Sequence, residues 1–171
     1  LHFDCLRATH RYFFDFESPL APALKRLATT LDKSRSGHLL MHLIEDPLKI
    51  AVLRCERCGD CAIQHVGFLC PQSGCPKNTR NGPCGGSYQG MCEVHPDRNC
   101  VWFRAYKRLA SVGQAKAMLA LKGCVPPRMW ELDRTPSWLN FHLGRDHQGS
   151  NAEFGRYCQT QCISIVLSER E

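Results

Sequence analysis

Residues 55–100 read CERCGDCAIQHVGFLCPQSGCPKNTRNGPCGGSYQGMCEVHPDRNC and hold eight of the chain's twelve cysteines. The spacing is C-x2-C-x2-C-x8-C-P-x3-C-x8-C-x7-C-x7-C, with glycine and proline scattered between the sulfurs. Breakers at this density forbid long helices or strands, so the segment buries little apolar surface of its own. Its order has to come from cross-links, and thiolate–metal bonds supply them. Two-residue spacers turn Cys55, Cys58 and Cys61 toward one point, which suits a metal better than three separate disulfides. Structural zinc and cubane iron–sulfur clusters each take four ligands. Eight cysteines therefore divide into Cys55, Cys58, Cys61 and Cys70, then Cys75, Cys84, Cys92 and Cys100. The fold class expected is a small α-rich, partly irregular, metal-stabilised domain: a helical pair, a cysteine-rich loop module, a further helix and an extended arm.

Outward from the module, residues 18–54 read as the helical pair. Ser18-Pro19 offers a cap and a first-turn proline, and Leu20, Leu24, Leu27 and Leu31 recur at helical spacing. Gly37 reads as the breaker between helices, and Pro47 as a kink or split in the second. Residues 1–17 are aromatic-rich and look irregular, a linker or arm from an upstream domain. Residues 103–147 are expected to hold a helix and an aromatic docking arm running through Trp130, Trp138, Leu139 and Phe141. Trp102, Ala105, Tyr106, Leu109 and Met118 are placed on its inward faces. Residues 148–171 are polar and read as a flexible tail, with an apolar stretch at Ile163–Leu167.

The chain has 171 residues, 43% of them hydrophobic and 22% charged, which is ordinary for a globular protein. No stretch approaches the roughly 20 apolar residues of a membrane span, and no signal-like start is visible. Free, metal-bound thiols fit a reducing compartment, so the expected location is cytoplasmic. The formal charge is +6, and two four-thiolate sites with a metal charge of about +2 each would bring it near +2. With basic residues scattered over the chain, the footprint of a nucleic-acid binder is weak, and a zinc-ribbon nucleic-acid module is the least favoured alternative.

The run Cys55, Cys58, Cys61, Cys70-Pro71 is similar to that of bacterial ferredoxins, whose last spacer is three residues where this one is eight. Three clustered ligands plus one favour iron–sulfur over zinc for the first set. The second set has no C-x2-C pair, and its metal stays open. Glycines beside Cys84 would let backbone N–H groups approach its sulfur, or simply make a turn. His38 and His42 stand four apart, but Leu39 occupies the place where a metalloprotease motif needs glutamate. Those histidines read as surface or capping groups, and His65 and His95 as exposed or supporting. Cys5 and Cys124 read as small buried apolar residues, and Cys158 with Cys162 stays unassigned. The pairs Glu45-Asp46 and Asp97-Arg98 need only solvent. No catalytic residue is assigned.

The motifs Cys58-Gly59-Asp60-Cys61, Cys70-Pro71, Cys75-Pro76-Lys77, Asn81-Gly82-Pro83-Cys84-Gly85-Gly86, Gly90-Met91-Cys92-Glu93-Val94 and Cys100-Val101-Trp102 together resemble the cysteine-rich C-terminal domain of methylenetetrahydrofolate reductase-like proteins. That domain is fused behind the reductase barrel or carried on a separate accessory subunit. The segment from Thr135 to His147 is similar to the end of the fused form. The resemblance implies one-carbon (folate) metabolism and a partner, the reductase barrel, in cis or in trans. It also implies an upstream electron carrier, with no role for nucleic acid or membrane. A (β/α)8 barrel needs about 250 residues, so flavin and folate sites belong to the partner and the chain alone is not a complete enzyme. The implied cofactors are iron–sulfur clusters of the four-iron type, relaying electrons to the partner's flavin. A zinc-stapled docking domain without redox role is the alternative.

Overall fold

The computed structural model describes residues 3–118, 125 and 127–148. Six α-helices order its described residues: α1 Phe3–Phe13, α2 Ala21–Asp32, α3 Arg35–Leu53, α4 Pro71–Gly74, α5 Val101–Ala110 and α6 Ser137–His142. Two short strands, β1 Ser87–Tyr88 and β2 Met91–Cys92, pair antiparallel with Ser87 opposite Cys92. Three 3-10 turns complete the set, at Ile63–Val66, Ala115–Met118 and Trp130–Leu132. The domain is α-rich, as the sequence predicts. Cys124, Cys158, Cys162 and the expected tail from 149 onward lie outside the described residues.

Local chemistry explains where the helices start and stop. Pro22 sits in the first turn of α2, which starts after Leu20 and not at Ser18. Ser18 instead donates to the Tyr12 carbonyl at 2.6 Å and accepts from Leu20 N. Ser34 caps α3 by accepting from Gly37 N at 3.0 Å. Gly37 therefore lies inside α3 and does not break it. It is glycine because a Cβ there would stand 2.1 Å from the Leu31 carbonyl oxygen, where α2 and α3 meet. Pro47 also lies within α3, which stays a single helix of 19 residues. Arg54, in the left-handed region at φ 52°, ends it.

Two stretches read as irregular or extended are helical. Residues 3–13 form α1, and 137–142 form α6. The aromatics that obscured both helices bring them together. Phe14 packs against the rings of Trp138 and Phe141 at 5.7 and 5.6 Å, and Phe16 stacks on Phe141 at 4.5 Å. The segment read as a docking arm thus docks on its own chain, leaving Trp130 exposed under Arg128.

The core sits inside the cysteine module. Val66, Leu69 and Ala62 meet Val101, Trp102 and Ala105 of α5, with the Cys75 side chain among them. Trp102 also donates from its indole to Thr79 Oγ1 at 2.9 Å. Deleting such a ring costs about 3–5 kcal/mol. Leu109 is buried as expected, but Tyr106 faces solvent. The other end of the molecule is less covered. Helix α3 buries Gly37, Glu45 and Lys49, while Leu39, Leu43, Ile44 and Leu48 stay exposed. No helix among the described residues is long and apolar enough to cross a membrane.

Candidate metal centre

All nine described cysteines are free thiols. Cys5 is exposed on α1, contrary to the buried place expected for it. The other eight gather around two cavities. Cys55, Cys58, Cys61 and Cys70 line the first together with Lys49 and Arg80. Cys75, Cys84, Cys92 and Cys100 line the second, a wider cleft that Cys70 also borders.

Left-handed residues build the first cavity. Arg54 at the end of α3 turns the chain into Cys55, and Arg57 (φ 58°) and Gly59 (φ 71°) flank Cys58. Gly59 is also where the loop touches its support: a Cβ there would lie 1.8 Å from the Leu132 carbonyl oxygen. The Ile63–Val66 turn closes on Gly67 and Phe68, both at positive φ, and returns the chain to Cys70. Cys70 is the cap residue of α4, with Pro71 in the first turn.

Three sulfurs accept a backbone N–H from two residues onward. Arg57 N reaches Cys55 Sγ at 3.3 Å, and Gly86 N reaches Cys84 Sγ at 3.4 Å. Ile63 donates to Cys61 in the same way. Such bonds favour the thiolate and tune any metal bound to it. Cys58 Sγ has a side-chain donor instead, Arg80 Nη1 at 3.7 Å.

The buried charge around the first set is cationic on two sides. Burial pushes the Cys61 thiol up to about 11, with Lys49 pulling the other way. Burial also raises Cys55, again opposed by Lys49. Burial alone would lower Lys49, but attraction to Cys61, Glu45 and Cys55 outweighs it and holds the ammonium charged. A metal binding to Cys55 and Cys61 would displace their protons. The thiolate charge so formed would find Lys49 and Arg80 already in place.

A second layer fixes these cations. Glu45, 3% exposed, accepts from Lys49 Nζ at 3.1 Å, Ser137 N at 3.0 Å, Ser137 Oγ at 2.6 Å and Trp138 N at 3.1 Å. The Glu45-Asp46 pair therefore does not face solvent: Glu45 is the buried clasp between α3 and the first turn of α6, and Asp46 pairs with Arg57 Nε at 2.9 Å. Asp60 is fully buried and accepts from Arg80 Nη2, from His147 Nδ1 at 2.5 Å and from His147 N at 3.2 Å. Burial would raise its carboxyl, but His147 and Arg80 hold it below the usual range. Asn140 donates to the Gly59 carbonyl at 2.8 Å, tying the Cys58 loop to α6. His38 and His42 pair with Asp32 and Asp46. His65 packs edge-on against His147, and His95 is exposed.

The donor set of four thiols around each cavity suits a metal. Among the described residues, the single trio of His, Cys, Asp or Glu whose ligand atoms all lie within 4.8 Å is Asp60, Asp146 and His147.

The supporting groups were not singled out as functional in the sequence reading. Glu45 and Lys49 stand at i, i+4 on a helix, a visible signal for a pair. Asp60 with His147 gives no such signal, because 87 residues separate them.

Residues 36–131 match the family described as methylene-tetrahydrofolate reductase C terminal. No curated protein and no solved structure matched the chain. The match runs from the first turn of α3 to the turn at Trp130–Leu132, taking in both cysteine sets, Lys49, Asp60 and Arg80. It spans more than half of the sequence, and the chain belongs to the methylene-tetrahydrofolate reductase C-terminal family.

Proposed function

We propose that this chain is the electron-relay part of a methylene-tetrahydrofolate reductase. In this reading Cys55, Cys58, Cys61 and Cys70 hold an iron–sulfur cluster, and Cys75, Cys84, Cys92 and Cys100 hold a second metal group. The observation that carries it is the first cavity: four thiols lining one space, faced by the two buried cations Lys49 and Arg80. A cluster there would take up and release single electrons. Lys49 and Arg80 offset its negative charge. The N–H groups of Arg57 and Ile63 withdraw density from the sulfurs. Glu45, Asp60 and Asn140 keep those donors in position. The catalytic part of the reductase is the partner that receives the electrons on its flavin, and the exposed leucines of α3 offer it an apolar face.

Anaerobic purification followed by metal analysis and EPR tests the reading. Several irons per chain and a reducible signal, both diminished in Cys58→Ser, are the expected result. Stoichiometric zinc in colourless protein would replace the relay with a structural docking role. Protein that keeps its iron in Cys58→Ser would overturn the ligand assignment.

A further inference from the structure

The second cysteine set lines an open cleft of about 660 Å³, whereas the first cavity encloses about 20 Å³. Cys84 is exposed, and Cys92 and Cys100 are half-buried. Cys70 borders both spaces, so the open set adjoins the enclosed one. A molecule arriving from solvent meets the second set first.

Charge on this side is lopsided. From Arg98 to Met118 the chain carries five lysines and arginines and no aspartate or glutamate. Helix α5 lies in that run, with Arg104 and Lys107 exposed on it and Arg108 half-buried. These like charges stand three and four residues apart, a spacing whose repulsion weakens a helix. Arg108 has an internal use, donating to the Gly67 and Phe68 carbonyls. Arg54, Lys77, Arg98 and Arg104 line the cleft, with the His95 ring and the Asp97 carboxylate. Asp97 pairs with Arg98 at 3.6 Å, and Glu93 pairs with Lys77. Glu56, the acid nearest Arg54 in sequence, borders the first cavity instead. Arg54 and Arg104 form no ion pair among the described residues. A metal group on four thiolates would bring a charge of about −2. Arg54, Arg104 and the positive end of α5, which starts at Cys100, offset that charge. Lys107 and Arg108 remain in excess.

We propose that this cleft is the electron-entry port of the chain, and that it receives a small redox protein with an acidic surface. One electron would leave the cofactor of that protein, which is oxidised, and reduce the group held by Cys75, Cys84, Cys92 and Cys100. No bond is made or broken. A basic rim steers an acidic carrier into place, and a small polar interface lets it go again. The choice of an electron carrier over another acidic protein rests on the reading of these cysteines as ligands of a redox metal. The acidic character of the partner does not.

Anaerobic titration of the full chain with a plant-type ferredoxin, an acidic one-electron carrier, tests the proposal, with iron measured on the same sample. Binding is expected at about 20 mM salt and should weaken at least about tenfold at about 200 mM. Arg104→Glu with Lys107→Glu should weaken it by a similar factor while leaving the circular dichroism unchanged. Lys25→Glu with Arg26→Glu makes the same change of charge on α2 and should leave binding within about twofold. Stopped-flow mixing, with the lower-potential protein supplied reduced, should show electron transfer that slows in the α5 variant alone. No binding at low salt, equal weakening by the two variants, or binding without electron transfer to iron-loaded chain would each overturn the proposal. Tighter binding of a single-stranded oligonucleotide at the same salt would give the surface to nucleic acid and overturn it too. Iron-loaded chain that ignores the ferredoxin sinks this inference alone. Chain that binds it but carries no iron sinks the relay and the port with it, and leaves the acidic partner standing.

Discussion

Glu45, near the middle of α3, accepts the backbone N–H of Ser137 at 3.0 Å across 92 residues of sequence. The same carboxylate holds Lys49, so one buried anion fixes both the clasp to α6 and the cation beside Cys61. Removing it strands a buried ammonium. Glu45→Ala should cost about 3–5 kcal/mol in urea unfolding. Glu45→Gln with Lys49→Met should recover much of that loss, and equal losses in the two variants would contradict the pairing.

Lys49 should also set the reduction potential of the first centre. Reduction adds negative charge beside it, so the ammonium favours the reduced form. In the Lys49→Met variant, which removes the cation and leaves Glu45, the midpoint should fall by about 60 mV or more, equivalent to 1.4 kcal/mol for one electron. Redox titration followed by EPR reads this directly, and an unchanged midpoint would place Lys49 outside the electrostatic field of the cluster.

Burial, then repulsion from His147, pushes His65 down to about 3. A folded-state pKa below the unfolded value of 6.5 means stability present above about pH 6.5 and lost as pH falls toward 3. Asp60 adds a further loss, since its lowered carboxyl stabilises the fold only above the ordinary carboxylate range. Urea unfolding between pH 7 and 4, within about the window these two groups define, should steepen with acid. His65→Gln should flatten the curve above the Asp60 range. Parallel curves for variant and parent would remove His65 from the account.

Gly59→Ala tests the seat of the Cys58 loop. Positive φ and the contact with Leu132 together predict a loss of about 1–3 kcal/mol and a lower metal content. Thermal melting and iron analysis on the same sample check it, and an unshifted melt would show that the loop has room to spare.

Local signals were the legible ones. The helical pair is visible in leucine spacing, and the absence of long elements between Arg54 and Cys100 follows from glycine and proline alone. What escaped was non-local. The aromatic runs of α1 and α6 look irregular singly, and become helical faces only when Phe14 meets Trp138. Glu45 looks like a surface charge until α6 arrives to use it. The pairing of Asp60 with His147 depends wholly on the fold, as does the cation placed by Arg80 between Asp60 and Cys58.

The family match ends at residue 131, but Ser137, Asn140 and His147, which grip Glu45, Gly59 and Asp60, all lie beyond it. A fragment cut at the boundary of the match would keep every proposed ligand and lose the hand that closes around them. The shortest autonomous unit therefore reaches at least to His147.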